Sequence, residues 1–588
     1  MSSKKKWSNI FANNLADSIS YDKVKNFSEK SYIFTKTRST QDPTSQNSTD
    51  KSRFFYFLII IIFLLFVGRL FYLTIIQGSK NRILAEENRI QLVSYPQKRG
   101  KIFDRFGQAL AQSDYIYLLK KDYKVTQISE EQSLELENQS LASENYQGEL
   151  GQIFKQVQRQ YDLGKSAAHL LGYTTNAGQN DLENDPKISS VSQVGRLGIE
   201  QSYDNFLQGK PGKKIIEVDA FGKKISILGD QEPKNGQNVH LTIDANMQKK
   251  LYEILSAHLE KTKTLKAAAV VQNPESGEVL ALISMPIFDP SDVAKSLNDK
   301  DEPFINRVVQ GTYPPGSIFK LVTALAGLES GSITKDSQIE DVGEFNIGDT
   351  RFANWYFLQY EQKDGLINII RAIARSNDIF FYRLAEKTGL EAIRKMAIKF
   401  GFGQETGIDL PNEELGLVPD EKWKQSAFSS NWYLGDTLHL GIGQGFMLAT
   451  PIQVNSLIAS VASGKFTRPY IVSKIEGENN QDIELGGKII AGNITSPTNL
   501  NIIREGMKQA CQTGGTGWPF FNATYTIGCK TGTAEKALGN PHAWFSAYAP
   551  FNNPQVSVTV IIEDGGEGSS VAGPVARQFL DWYFQNRK

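Results

Sequence analysis

The run FFYFLIIIIFLLFVGRLFYLTII, Phe54 to Ile76, constrains the whole chain more than any other segment, because Arg69 is its only charge. A helix needs about 20 mostly apolar residues to cross a hydrocarbon core of roughly 30 Å, and this run supplies them. A cleaved signal peptide would lie at the extreme N-terminus, with a shorter apolar region ending in small residues. Here a long polar tail comes first and large side chains dominate. Arg69 lies near the far end, where a long side chain can snorkel to the interface. The tail carries Lys4, Lys5, Lys6, Lys23, Lys25, Lys30, Lys36, Arg38, Lys51 and Arg53 against fewer acids. This bias favours a cytoplasmic N-terminus, against the opposing pull of SKNR and QKRGK beyond the helix. The reading is a single-pass anchor at 54–76, with a disordered tail at 1–53 and the bulk of the chain on the far side of the membrane.

At 588 residues the chain is too long for one core. Lys+Arg and Asp+Glu both number 64, so no bulk field argues for a nucleic-acid partner. The two cysteines, Cys511 and Cys529, match no metal spacing and leave free thiols or one bridge open. Residues 77–238 read as a mixed α+β region, with short strand-like runs (YIYLL, KIIEVDA, KKISIL) between polar loops and a solvated excursion at SLELENQSLASENYQGEL. From 239 to 588 the texture is that of a compact α/β domain. KAAAVVQNPESGEVLALISM reads as a hairpin, and YTIGCKTGTAEK, HAWFSAYAP and QVSVTVIIED as further strands. VAGPVARQFLDWYFQ closes as a helix, so a mostly antiparallel sheet packed between helices is expected.

Three short motifs carry candidate chemistry. In TYPPGSIFKLVTALAGLES, Pro314, Pro315 and Gly316 feed a helix that opens near Ser317, and Lys320 lies three residues on, over the serine hydroxyl. Ser-x-x-Lys recurs at Ser2/Lys5, Ser3/Lys6, Ser20/Lys23 and Ser332/Lys335, but only at Ser317 does it stand on an apolar helix behind a rigid turn. Ser376, Asn377 and Asp378 sit at the junction of two helical runs, where all three also suit an N-cap. Lys530, Thr531 and Gly532 lie on a strand-like run, whereas the same triplet at Lys387–Gly389 ends a helix and reads as a C-cap.

Ser-x-x-Lys, then Ser-Asp-Asn, then Lys-Thr-Gly is the ordered set of penicillin-binding proteins and class A β-lactamases. The resemblance extends through RGKIFDRFGQALA, GRLGIEQSYDNFLQGKPG, YPPGSIFK, TGIDLPNEELGLVPDEKWK and WYLGDTLHLGIGQGFMLATPIQ to HAWFSAYAP. The chain thus resembles class B penicillin-binding proteins, and among them the elongation type. That implies an α/β architecture: a transmembrane helix, a mixed α+β pedestal (77–238) and a transpeptidase domain (239–588). Departures are DRFG in place of Asp-Arg-Asn-Gly, an abbreviated pedestal between Tyr115 and Ser192, and Asp378 where many relatives have Asn. Some relatives have a metal site just upstream of the middle motif. RFANWYFLQYEQKDG has neither His nor Cys there, so no metal and no cofactor is expected.

The resemblance implies Ser317 as nucleophile, with Lys320 as its base, made neutral by burial and by the nearby charge of Lys530. Ser376 would relay the proton, and Asp378 would orient Lys320 or the substrate amide. Asn377, Thr531, Gly532 and Thr533 would bind substrate, and the backbone N–H groups of Ser317 and Thr533 would form the oxyanion hole. The expected activity is peptidoglycan D,D-transpeptidation of stem peptides, with β-lactams as inhibitors and a SEDS-type glycosyltransferase as membrane partner. Its place would be the bacterial cytoplasmic membrane, with the catalytic domain outside. A septal transpeptidase, an acyl-serine hydrolase or sensor, and a catalytically silent scaffold remain as alternatives. GIGQG (Gly441–Gly445) reads as a tight turn, and His542 as a structural residue near the cleft.

Overall fold

Apolar side chains with no room in a protein core form the first element. The computed structural model describes residues 49–586, leaving out 122, 143–151, 186–187, 220–223, 478–480 and 537. The expected disordered tail falls outside the described residues up to 48. Thr49–Phe71 is an α-helix, continued by a π-helical turn at Tyr72–Ile76. Arg53–Ile76 is, among the described residues, the one helix long and apolar enough to span a membrane. Apart from the half-buried Leu73 its side chains are exposed, Phe66 and Leu65 among them, as lipid-facing groups would be. The Thr74 hydroxyl donates to the Leu70 carbonyl at 2.7 Å, so this hydroxyl is satisfied within the helix. The described residues up to Glu86 form one contact unit and those from Glu87 onward another.

In the second unit, the motif-bearing region is organised around five antiparallel strands. They are β1 (Ala267–Gln272), β2 (Val279–Met285), β3 (Gly528–Ala534), β4 (His542–Ala549) and β5 (Val556–Ile562), in the order β2-β1-β5-β4-β3. Strand side chains alternate between faces. Ala268 and Val270 accordingly join the core beneath Trp544 and Ile561, while Ala267, Ala269 and Val271 join a second core with Phe545 and Val560. A sheet covered on both faces explains why these strands read as continuous apolar runs. Helices α1 (Ala245–Thr262) and α7 (Ala572–Asn586) cover the second face, burying Leu251, Leu255, Phe579 and Leu580. The first face takes α2 (Lys320–Glu329), α3 (Ile369–Arg375), α4 (Asp378–Thr388), α5 (Pro451–Ser463) and α6 (Pro497–Ala510). Cys511 and Cys529 are joined in a disulfide that ties the end of α6 to β3.

The region before the hairpin is less fragmentary than its sequence suggests. YIYLL is the middle of a 13-residue strand, Ala109–Lys121, paired antiparallel over ten positions with Gln152–Tyr161. Their polar, partly exposed alternate residues hide the strand pattern. The excursion begins as a helix, Glu130–Ala142, and the rest of it lies outside the described residues. Val239–Leu241 pairs in parallel with Ile102–Phe103 on one side and antiparallel with Val472–Ile475 on the other, so one sheet runs through residue 238.

A buried ion cluster explains why the two segments that resemble pedestal signatures belong together. Arg99 and Arg159 both bond the Glu200 carboxylate, Arg159 at 2.7 Å, and Arg99 also reaches Asp204 at 2.6 Å. Glu200 is fully buried. Burial alone would raise its pKa, but Arg159 and Arg99 outweigh it and hold the carboxyl below the usual range. Removing one partner strands the others in a low dielectric. Glu200→Ala is therefore expected to cost about 3–5 kcal/mol. Thermal unfolding of the purified chain checks this, and an unchanged midpoint would refute it.

Candidate active site

The turn that carries Ser317 is held from four sides. Tyr313 exchanges both backbone hydrogen bonds with Ala449, at 2.9 and 2.8 Å, and Gly316 N–H donates to Gly443 O at 2.9 Å. The Trp544 indole N–H donates to Pro314 O at 3.1 Å. The Tyr313 hydroxyl donates to Glu563 Oε1 at 2.7 Å, which also accepts from Arg307 Nε at 2.9 Å. Gly532 lies opposite Trp544 on β3, and a Cβ there would sit 2.9 Å from Trp544 Cβ and 3.2 Å from Ile318. Only glycine lets the turn Gly316–Ile318 settle against the strand.

This packing drives Lys320, the first residue of α2, into full burial. Its ammonium donates to Asp378 Oδ1 at 2.6 Å and to the Ser376 carbonyl at 2.7 Å, with Ser376 Oγ at 3.5 Å. Lys530, equally buried, donates to Ser376 Oγ at 2.7 Å. Ser376 adopts φ +53 at the break between α3 and α4, which turns its carbonyl and hydroxyl toward the two lysines. Asp378 opens α4, where the helix N-terminus favours its charge. Its other oxygen accepts the Trp355 N–H at 3.0 Å, and Asn354 Oδ1 accepts its N–H at 3.2 Å.

The structure brings Ser376, Asp378, Lys320 and Lys530 into one hydrogen-bonded cluster, with the half-buried Ser317 on the adjoining turn. Among the described residues, no hydrogen bond joins the Ser317 hydroxyl to Lys320. A carboxylate and a carbonyl outcompete a neutral hydroxyl for the ammonium. Thr533 lies beside the same turn: a Cβ on Gly316 would be 2.9 Å from Thr533 O. Thr531 bonds the Thr516 hydroxyl at 2.9 Å.

Asn377 requires a correction. Its amide donates to Asp341 at 2.8 Å and Asp364 at 3.1 Å, and its oxygen accepts the Phe380 N–H at 2.9 Å. Fully buried with every polar group engaged within the protein, it caps α4 and offers no free donor to a ligand.

Burial dominates the electrostatics of both lysines. Burial pulls Lys320 below the ordinary lysine range, against the upward pull of Asp378. Burial pushes Lys530 down further, and the charge on Lys320 adds to that push. Both amines are thus drawn below the ordinary lysine range by burial, with Asp378 opposing the shift in each.

A family model described as "Penicillin binding protein transpeptidase domain" matches residues 267–581, and one described as "Penicillin-binding Protein dimerisation domain" matches 120–241. The chain belongs to the penicillin-binding protein family. Within it, the chain is of class B, penicillin-binding protein 2 (PBP2) type. It is 34% identical to a Salmonella typhimurium protein named peptidoglycan D,D-transpeptidase MrdA, over 72% of each chain. The Escherichia coli K12 protein of that name is 30% identical over 89% of this chain and 92% of its own. PBP2 of Pseudomonas aeruginosa has 31% identity and a TM-score of 0.67, covering 84% of this chain and 97% of its own. A peptidoglycan synthase complex contains a chain of 27% identity and TM-score 0.72, covering 92% and 99%.

Several supporting residues of this penicillin-binding protein carry no local sequence signal. Gln444, within the GIGQG turn, donates to Thr533 O at 3.2 Å. Asn354 and Trp355 lie in the stretch searched for metal ligands, and instead hold Asp378. His542 accepts the Asp564 N–H at 3.3 Å and meets Tyr313 edge-on at 5.3 Å. At the second Lys-Thr-Gly, Gly389 has φ +79 and ends α4 as a cap.

Acylation requires a neutral amine, so its rate should rise with pH through a lysine pKa that lies below the ordinary one. Asp378 raises the pKa of both lysines, so Asp378→Asn lowers them further. The rising limb of the pH–rate profile should then move to lower pH, while the plateau falls by about a hundredfold as Lys320 loses its anchor. The pH dependence of acylation by a β-lactam measures both, and a limb that stays put or moves up would refute the coupling.

Proposed function

We propose that this chain is a membrane-anchored serine D,D-transpeptidase that cross-links peptidoglycan stem peptides during cell-wall elongation. The observation that carries the reading is the cluster in which Lys320, Asp378, Ser376 and Lys530 are joined beside Ser317. The names of the relatives, peptidoglycan D,D-transpeptidase MrdA and PBP2, support the same activity.

A proton passing from Lys320 through the Ser376 hydroxyl to Lys530 leaves Lys320 neutral, as base for Ser317. Ser317 Oγ attacks the penultimate D-alanine carbonyl, and the oxyanion is held by the backbone N–H groups of Ser317 and Thr533. Such a donor is worth about 3 kcal/mol in the transition state. The C–N bond breaks, the proton returns through Ser376 to the departing D-alanine, and an ester remains on Ser317. An acceptor amine from a neighbouring stem then attacks the ester, passes its proton back and frees the serine. Lys530, Thr531, Gly532 and Thr533 line the place for the terminal carboxylate. β-Lactams would acylate the same serine.

The N-terminus is placed in the cytoplasm, the anchor at 54–76, the pedestal at 77–238 and the transpeptidase domain, outside the membrane, at 239–588. The comparisons support protein partners: Helicobacter pylori PBP2 has a solved complex with MreC, and another related chain belongs to a peptidoglycan synthase complex. A SEDS-type glycosyltransferase suits this reading. Labelling with a fluorescent penicillin tests it. Wild type should form a lasting adduct, and Ser317→Ala should reduce labelling to background. Rapid turnover of the adduct would indicate a β-lactamase, and folded wild type that never labels would indicate a scaffold.

A further inference from the structure

The loop between Cys511 and Cys529 belongs to none of the three motifs, yet it touches both walls of the cleft. Thr516 N–H donates to Ala374 O at 3.2 Å, two residues before Ser376. Its hydroxyl lies 2.9 Å from that of Thr531 on β3. Arg375 reaches Gly514 O at 3.5 Å, and Gly517 N–H donates to Ala510 O at 2.7 Å. A Cβ on Gly517 would sit 2.5 Å from Cys529 Sγ, so the loop is drawn against the disulfide. Cys529 directly precedes Lys530. One short strap thus joins the helix bearing Ser376 to the strand bearing Lys530 and Thr531, and the disulfide closes it.

We infer that Thr516 is a positioning residue for the terminal carboxylate of the substrate, acting through Thr531, and that the Cys511–Cys529 disulfide holds it in place. The inference rests on the transpeptidase reading above. A carboxylate only accepts hydrogen bonds, so Thr531 serves it only while its own proton faces the cleft. When Thr516 donates to Thr531, that proton is freed for the carboxylate, and the pair of hydroxyls polarises in one direction. Were Thr531 to donate to Thr516 instead, a lone pair would face the anion.

The test measures acylation of the full-length, detergent-solubilised chain by a fluorescent penicillin across concentrations, separating reversible binding (K) from the acylation step (k2). Thr516→Val should raise K about threefold to tenfold, the range of one lost hydrogen bond, with k2 near wild type. Thr516→Ser should restore K. A penicillin methyl ester, which lacks the charge, should show no such difference between wild type and Thr516→Val. Reduction of the wild type with dithiothreitol should raise K by a similar factor, yet add little in Thr516→Val, because both act on one contact. An unchanged K in Thr516→Val, with an unchanged melting temperature, would overturn the role of Thr516. Reduction that lowers the melting temperature but leaves K alone would overturn the role of the disulfide. A wild type that never labels would sink the transpeptidase reading as well, whereas labelling with uniform K would sink only this one.

Discussion

A lysine ammonium with no access to water must be surrounded by acceptors, and the active site is built around that demand at Lys320. Its full burial follows from α2 lying inside the core from Lys320 to Gly327. The cost of burying the charge is offset by a carboxylate at the start of α4 and a backbone carbonyl at the end of α3. For both to face one nitrogen, the chain must break between the helices in a left-handed conformation, and Ser376 adopts it. The break in turn frees the Ser376 hydroxyl for Lys530. Asn377, Asn354 and Trp355 secure the break from behind, through Asp341, Asp364 and Asp378. A buried charge thus organises two helices, a loop and a strand edge.

Much of this was readable in advance because it obeys short-range rules. The five strands of the catalytic sheet follow from apolar runs, the hairpin from its Asn-Pro-Glu-Ser-Gly turn, and the two fates of Lys-Thr-Gly from their flanking residues. The order of three weak motifs picked out residues that the structure gathers into one cluster. What escaped depends on chain segments distant in sequence. Asn377 reads like its neighbours Ser376 and Asp378 until Asp341 and Asp364 claim its amide. The direction in which Lys320 points is decided by competition between a hydroxyl three residues away and a carboxylate 58 positions on. The pairing of Cys511 with Cys529 was open because spacing alone does not bring a helix end to a strand.

The pedestal shows the same division. Its signatures were recognisable as strings, but their physical meaning lies in Arg99, Arg159 and Glu200, drawn from three separate segments. The long strands beside them were fragmented on reading because their exposed faces carry Gln, Lys and Arg. Buried charge therefore marks both halves of the second unit: at the pedestal it locks three segments together, and at the cleft it joins two helices to a strand.

The pairing of β1 with β5 has a temporal meaning. Ala267 sits opposite Ile562, and Val239 opposite Ile475, so strands made early wait for partners made late. Contacts of such sequence separation form slowly, because the loop must close before the pairing rewards it. The catalytic sheet has no centre until β5 is synthesised, and β3, with Lys530, has only β4 to bind. A nascent chain can therefore emerge from the membrane, anchored by its first helix, while the turn bearing Ser317 still lacks the strands that pack against it. The sheet beneath that turn is complete only when almost the last residues have been made.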